Sequence, residues 1–278
     1  MIKNLVLSSG GVNGFFFIGS LKYLIENNLL DNLQCLLGTS IGSIIGLLYI
    51  LGFSIKEINR LVFNINPMIL FNFNGENIIK FIDNYGLDNG EKLIKIIRIV
   101  CKRKMLNPDI TFKQLYEKTK IKFIISCLNI NKKNLVYFSY ENYPNLEIYK
   151  AIRMSTSIPI IFQPYIFEKD IYVDGGAMDP CSLSYFKKKK ETLGIMISNE
   201  SKNISNFKEY LVTLFCNPIH KIIEDYYDEP NIIIYKTKEK DGLNFNITNK
   251  NILKIIEKGY EVTKEEIVDI LDFFKHTY

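Results

Sequence analysis

Residues 33–53 read LQCLLGTSIGSIIGLLYILGF. An apolar run at 33–37 stops at Gly38, and a second apolar run of helical length begins at Ile41. This order predicts a buried strand, a sharp turn over residues 38–42 and a buried helix over 41–52. The turn matches G-x-S-x-G, in which a strand-to-helix turn lifts a serine into a cleft and the flanking glycines allow close packing. Ser40 is therefore predicted to be a nucleophile, and the alternative is that Ser40 only caps the helix.

A second glycine-rich turn lies upstream, in VLSSGGVNGFF at residues 6–16. A short apolar strand runs into Gly10 and Gly11, and a helical pattern starts at Gly14. Backbone N–H groups at such a turn can hold a phosphate or an oxyanion, or the glycines can simply allow a tight turn. Dinucleotide binding needs an acidic residue at the end of a second strand, whereas Asp31 precedes that strand. Beside a serine nucleophile, an oxyanion hole is the favoured interpretation.

The alternation of strands and helices over residues 2–52 predicts parallel strands in a layered α/β domain. The Asn-rich and amphipathic stretch 64–118 is predicted to be a mostly helical insertion, in which Phe71 and Phe73 pack inside or face lipid. Ser54 with Glu57, and Thr111, carry the signals of helix starts. Further strands are predicted at 121–131, 134–140, 192–198 and 231–236, a hairpin at 165–176, and helices at 205–227 and 249–275.

The composition, net charge and cysteine count of the chain argue against some classes of function, among them nucleic-acid binding and a zinc site. The 278 residues are 47% hydrophobic and carry a net charge of +5. That excess is too small to indicate nucleic-acid binding, and it suits weak attraction to an anionic membrane surface. Five isolated cysteines without a C-x-x-C pair predict a reduced, intracellular protein without a zinc site. The longest apolar stretch, 41–53, is too short to span a bilayer, so no transmembrane segment is expected.

A serine nucleophile needs a base. Two histidines are present, His220 and His276, and the order Ser40–Asp174–His220 is that of an α/β-hydrolase triad. Those enzymes place several strands before the nucleophile, whereas a single strand and helix precede Ser40. Asp174 ends an apolar strand before Gly175–Gly176, a position from which its carboxylate can act directly as the base. The alternative for Asp174 is an ordinary Asp-Gly turn.

Three motifs, in chain order, resemble those of the patatin-like phospholipase family. They are the glycine-rich segment LVLSSGGVNGFFFIGSLKYL (5–24), the elbow LLGTSIGSIIGLLYILGFSIKEI (36–58) and AIRMSTSIPIIFQPYIFEKDIYVDGGAMDP (151–180). The resemblance covers residues 3–60 and 120–200. Two positions depart from the family pattern: Ser9 replaces a glycine, and Asn13 replaces an arginine or lysine.

The resemblance implies a single domain over 1–278, with its core at 3–60 and 120–200 and C-terminal helices at 205–275. The implied fold is a three-layer α/β/α sandwich with a mainly parallel central sheet. The implied site is a Ser40–Asp174 dyad without histidine, metal or cofactor, with Gly10 and Gly11 lining the oxyanion hole. The motif glycines are Gly14, Gly38, Gly42, Gly175 and Gly176.

The implied activity is phospholipase A-like: hydrolysis of a fatty acyl ester through an acyl-serine intermediate. The expected substrate is a lipid at a membrane surface, and the expected location is the cytoplasm with peripheral membrane attachment. Two alternatives stay open at this point. One is a triad esterase that uses His220, and the other is a catalytically weak membrane- or protein-binding module, suggested by Ser9 and Asn13.

Overall fold

The computed structural model describes residues 1–64, 81–199, 204, 207–237 and 245–275. The predictions for Phe71, Phe73 and His276 therefore lie outside the described residues, as does the side chain of His220.

A mixed eight-stranded sheet forms the centre of the molecule, in the order β10-β9-β1-β2-β4-β8-β7, with β5 paired to β4. Strands β10, β9, β1, β2 and β4 run parallel, whereas β5, β8 and β7 join through antiparallel pairs. The strands are β1 (Asn4–Leu7), β2 (Cys35–Thr39), β3 (Gly86–Asp88), β4 (Lys122–Asn129), β5 (Asn134–Phe138), β6 (Ile160–Phe162), β7 (Tyr165–Phe167), β8 (Asp170–Asp174), β9 (Thr192–Asn199) and β10 (Ile232–Thr237).

Nine α-helices are described: α1 (Phe16–Glu26), α2 (Ile41–Ile50), α3 (Ile55–Asn64), α4 (Phe81–Asn84), α5 (Glu91–Arg103), α6 (Phe112–Thr119), α7 (Ile148–Ser155), α8 (Phe207–Tyr226) and α9 (Asn249–Lys275). A 3-10 turn over Gly11–Phe15 precedes α1. The predicted helical stretch 14–28 therefore begins as a 3-10 turn and becomes α-helical at Phe16.

Two separate apolar cores lie on the two faces of the sheet. Within β1, Leu5 and Leu7 pack into one core and Val6 into the other, because successive strand residues point to opposite faces. The first core also contains α1, α2 and α9, whereas Tyr226 of α8 belongs to the second. Helices thus cover both faces, which confirms the predicted α/β/α sandwich.

Local signals located several helix starts correctly. The Ser54 N–H donates to Glu57 Oε2 at 2.7 Å, and the Glu57 N–H donates back to Ser54 Oγ at 3.3 Å. The same reciprocal pair forms between Thr111 and Gln114 at the start of α6. Such a capping box satisfies two N–H groups that the first helical turn leaves without partners.

The stretch 64–118 contains one element that the sequence did not predict. Its described part, from residue 81, holds helices α4 and α5 and the start of α6, as expected, and also the strand β3. Strand β3 pairs in parallel with β6 in a small second sheet. The helix α7 ends at Ser155, before Pro159, and β6 follows it. The insertion is therefore tied to the chain segment that leads into Asp174.

Strand β4 brings two distant parts of the chain together. Strand β2 pairs with β4 as far as Thr39 opposite Ser126, and β8 pairs with β4 from Cys127 opposite Asp174. Strand β5 occupies the other edge of β4 along residues 125–129. Strand β8 therefore pairs with the same edge of β4 as β2 does, beyond the end of β2, and it runs antiparallel to β4. The residue after β2, Ser40, consequently meets the last residue of β8, Asp174.

Candidate active site

Ser40 occupies the turn between β2 and α2 in a strained conformation. Its φ of 53° and ψ of −123° lie in a region that non-glycine residues rarely adopt. Such a conformation costs about 1–3 kcal/mol and persists only where surrounding contacts impose it. The Ser40 side chain makes no capping hydrogen bond to α2. The alternative that Ser40 serves only as a helix cap is therefore wrong.

Hydrogen bonds from neighbouring serines hold the Ser40 backbone. The Ser40 N–H donates to Ser155 Oγ at 2.8 Å, and the Ser155 hydroxyl donates to the Ser126 carbonyl at 2.7 Å. On the other side, the Ser43 N–H and hydroxyl both donate to the Ser40 carbonyl, at 2.9 and 2.6 Å. The sequence reasoning assigned Ser155 no role, although Ser155 lies in the third quoted motif. That motif was the one available signal for it.

Asp174 ends β8 and is buried beside Ser40. Its carboxylate accepts a hydrogen bond, at 2.8 Å, from the Gly176 N–H and lies within hydrogen-bonding reach of the Ser40 side chain. Burial raises the pKa of Asp174 to about 7, against the opposing effect of these two groups. An Asp-Gly turn is thus present, and the same carboxylate also contacts the serine. A carboxylate that titrates near neutrality is suited to exchanging protons with a hydroxyl.

Arg153 is fully buried, and its hydrogen bonds hold the chain segment around Ser157, which contacts Asp174. Its guanidinium donates to the Asn89 and Gln163 carbonyls and to Ser157 Oγ. The Ser157 carbonyl in turn accepts the Asp174 N–H at 3.0 Å. Burial lowers the pKa of Arg153 to about 10, which leaves the guanidinium charged at neutral pH. Arg153 thereby connects the insertion, through Asn89, to the backbone next to Asp174.

The glycine-rich loop after β1 offers two backbone donors. The Ser9 N–H is already used, because it donates to the Pro180 carbonyl at 2.8 Å. Among the described residues, the N–H groups of Gly10 and Gly11 have no acceptor within the chain. Gly11 has a φ of 55°, which favours glycine, whereas Ser9 is not among the residues with positive φ. Ser9, which replaces a glycine of the family pattern, therefore lies at a position whose backbone conformation accepts a side chain.

The β1 loop packs tightly against the first turn of α2. A Cβ on Gly42 would overlap the Leu7 carbonyl oxygen and lie 2.6 Å from that of Ser8. This close approach of two backbones requires glycine, and it brings the loop against the turn that carries Ser40. The other predicted motif glycines also make close contacts: Gly14 with Ile41, Gly38 with Ser43, Gly175 with Ser126, and Gly176 with Ser9.

An apolar cavity of about 150 Å³ opens onto Ser40 and Gly11. The wall consists almost entirely of aliphatic and aromatic side chains from α2, α3 and α5, with Thr156 as a further polar residue. These apolar residues are Val12, Phe15, Ile41, Ile44, Ile45, Leu47, Leu48, Leu61, Val62, Leu93, Ile96, Ile97, Val100, Ile158, Phe162 and Phe245. A cavity of this composition fits a hydrocarbon chain, because it offers almost no hydrogen-bonding partners.

Two further sequence predictions concern histidine and metal. His220 lies in α8, but its side chain is outside the described part of the chain, so the triad stays a prediction. Among the described residues, no group of three or more His, Cys, Asp or Glu side chains could hold a metal ion. Within the same residues, no helix is both long and apolar enough to cross a membrane.

Comparison with known proteins gives consistent matches. A family model described as "Patatin-like phospholipase" matches residues 5–187. An uncharacterized protein of Acanthamoeba polyphaga mimivirus is 31% identical, over 98% of this chain and 95% of its own length. A "probable lipid hydrolase" of Invertebrate iridescent virus 6 is 28% identical, over 93% of this chain and 87% of its own length. The crystal structure of VipD from Legionella pneumophila shares the fold, with a TM-score of 0.67 at 17% identity, over 98% of this chain and 67% of VipD.

Proposed function

Because the chain belongs to the patatin-like phospholipase family, we propose that it hydrolyses fatty acyl esters of lipids, with Ser40 as nucleophile and Asp174 as base. One observation carries this proposal: pairing along β4 brings the Ser40 side chain within hydrogen-bonding reach of the buried Asp174 carboxylate. The cavity that opens onto Ser40 is apolar, which supports the proposal that the protein recognises the acyl chain of its substrate.

In the first half of the reaction, Ser40 Oγ attacks the carbonyl carbon of the ester while its proton passes to the Asp174 carboxylate. The carbonyl oxygen becomes an oxyanion, which accepts hydrogen bonds from the N–H groups of Gly10 and Gly11. Each such donor is worth about 3–4 kcal/mol in the transition state. Collapse of the tetrahedral intermediate breaks the ester C–O bond. The departing alkoxide takes the proton from Asp174, and the acyl group stays on Ser40.

In the second half, water attacks the acyl-serine carbonyl and gives its proton to Asp174. The same N–H groups accept the second oxyanion. Collapse then breaks the Ser40 ester bond, and the proton returns from Asp174 to Ser40 Oγ. The fatty acid leaves through the cavity. A base with a pKa of about 7 is matched to both transfers, since it can accept and release a proton at neutral pH.

The geometry of Ser9 favours an active enzyme over a catalytically weak binding module. The Ser9 N–H is bound to the Pro180 carbonyl, so the replacement of glycine at position 9 leaves the two donors at Gly10 and Gly11 unaltered. From the family and the apolar cavity, we propose that the substrate is a lipid in a membrane. We further propose that the protein is cytoplasmic and attaches to that membrane peripherally.

Three single variants test the proposal. We expect Ser40→Ala to abolish turnover of p-nitrophenyl acyl esters and phospholipids, and to abolish stoichiometric labelling by a fluorophosphonate. Asp174→Asn should lower kcat by at least about 10²-fold, since general-base catalysis is worth roughly that much. His220→Ala is the matched comparison and should keep wild-type turnover. Full activity in Ser40→Ala would refute the serine mechanism, and loss of activity in His220→Ala would favour the triad.

A further inference from the structure

Helix α5 has two faces of opposite character. Leu93, Ile97 and Val100 are buried and line the cavity that opens onto Ser40. On the opposite side, Lys95 and Ile99 are exposed at a spacing of four residues, which places them on one face of the helix. The helix that closes the proposed acyl-binding cavity therefore presents its other face to the outside of the molecule.

Large apolar side chains are exposed around this outer face. Ile99 is 52% exposed, and Met105 just after α5 is 94% exposed. Single exposed apolar residues are common on protein surfaces. Two large ones beside the exposed cations of the same helix indicate an interaction surface.

The exposed cations of α5 differ from its other basic residues in their partners. Arg98 of α5 pairs with Asp109, and Lys104, the residue after α5, pairs with Glu57. Lys95, Lys102 and Arg103 are exposed and form no ion pair with any carboxylate of the described residues. We define the α5 outer face as Lys95, Ile99, Lys102, Arg103 and Met105.

We propose that the α5 outer face docks the protein onto a membrane surface that contains anionic lipids. Exposed cations bind anionic headgroups, and the interspersed apolar side chains enter the boundary between headgroups and acyl chains. A membrane is the proposed partner because its anionic headgroups and acyl boundary complement both kinds of side chain, and because the proposed substrate is itself a membrane lipid. Docking would place the cavity about one helix diameter, roughly 10 Å, from the lipid.

This inference deepens the proposed function, because it states where the lipid comes from. Vesicle binding requires no turnover, however, so it can be measured separately in a Ser40→Ala background. Co-sedimentation is measured with vesicles of pure phosphatidylcholine and with vesicles of equal parts phosphatidylcholine and phosphatidylserine. The test variant carries Lys95→Glu, Lys102→Glu and Arg103→Glu. The matched control carries the same charge change on exposed lysines of α9, namely Lys250→Glu, Lys254→Glu and Lys264→Glu.

We expect the control to bind anionic vesicles as the parent does and the test variant to bind at least about tenfold more weakly, given roughly fivefold per cation. A second variant, Ile99→Ser with Met105→Ser, should weaken the binding that remains at high salt. In the active background, turnover of a water-soluble short-chain ester should be unchanged in all three, which verifies folding. Ser40→Ala should lose turnover of that ester and still bind vesicles. A failure of the proposed activity and a failure of the docking proposal can therefore be told apart.

Three results would overturn the docking proposal. In the first, the test variant binds anionic vesicles as tightly as the parent. In the second, the parent binds both kinds of vesicle equally well. In the third, the parent binds neither kind, which would assign the α5 outer face to an acidic protein partner instead.

Discussion

The hydrogen bond from the Ser40 N–H to Ser155 allows a quantitative prediction. Replacing Ser155 with alanine removes that bond, at 2.8 Å, and the bond from the Ser155 hydroxyl to the Ser126 carbonyl, at 2.7 Å. Both partners are buried, so each is left without a hydrogen bond, at a cost of about 1–3 kcal/mol per group. For the two groups together, the free energy of unfolding should therefore fall by about 2–6 kcal/mol.

Turnover should fall for a different reason. Ser40 keeps its positive φ because its N–H and carbonyl are both held, and loss of one contact lets the turn relax away from Asp174. A displacement of about 1 Å at a reacting group can cost roughly 10²-fold in rate. We therefore expect kcat of Ser155→Ala to fall by about 10- to 100-fold. The KM should stay nearly constant, because Ser155 does not line the cavity.

Ser139 supplies a matched control. It is equally buried, its hydroxyl donates to Asn142 Oδ1 at 3.1 Å, and it accepts the Glu141 N–H at 3.3 Å. Ser139→Ala thus removes the same number of hydrogen bonds outside the site and should lower stability while kcat stays constant. Urea unfolding and ester hydrolysis measure both quantities. A kcat of Ser155→Ala within twofold of wild type, or an equal loss in Ser139→Ala, would refute the positioning role.

Further predictions concern the base, the elbow and the cavity. Since burial raises the pKa of Asp174 to about 7, kcat/KM should rise with pH up to about that value, and a flat pH profile of kcat/KM would contradict a carboxylate base. In the folded state Asp174 keeps its proton up to a pKa of about 7, whereas in the unfolded chain it loses the proton near the usual pKa of 3.8. The free energy of unfolding therefore contains the full contribution of protonated Asp174 below pH 3.8. That contribution is lost as pH rises through about 7. Asp174→Asn should accordingly raise the free energy of unfolding at about pH 8, by at most about 4 kcal/mol, and leave it nearly unchanged at about pH 4 in urea titrations. Gly42→Ala would place a Cβ 2.6 Å from the Ser8 carbonyl oxygen and should lower the free energy of unfolding by at least about 2 kcal/mol, visible as a lower Tm. Ile97→Phe fills part of the cavity and should lower the rate on long-chain relative to short-chain esters by about 10-fold or more, so equal relative rates would show that the acyl chain binds elsewhere.

The sequence predicted the elements whose signals are local. Ser40 and Asp174 each stand at the end of a short apolar run beside glycines, so their places at strand ends were readable without any structure. The two capping boxes that begin α3 and α6 likewise depend on residues three positions apart. Long helices such as α9 were predicted with their full bounds, because helical periodicity accumulates over many residues.

The contacts that hold the site together were not predictable in this way. Ser155 meets Ser40 across 115 residues of chain, and its place in the third motif does not reveal that partner. Strands β3 and β6 have three residues each, too few for an alternating pattern to appear. Arg153 has a charge that normally indicates exposure, and its burial depends on the carbonyl groups and the Ser157 hydroxyl that accept its hydrogen bonds and on the nearby charge of Asp88.

The shared edge of β4 has a consequence for how such a molecule can be changed. The spacing between Ser40 and Asp174 is set by pairing along one strand, with Ser126 and Cys127 as adjacent positions, and not by the length of chain between them. The insertion contributes wall residues to the cavity yet has no part in that pairing. The cavity wall and the spacing between Ser40 and Asp174 therefore depend largely on different parts of the chain. We expect a cap of different length or composition between α3 and β4 to leave that spacing intact as long as the β3–β6 attachment and the Arg153 contacts are retained.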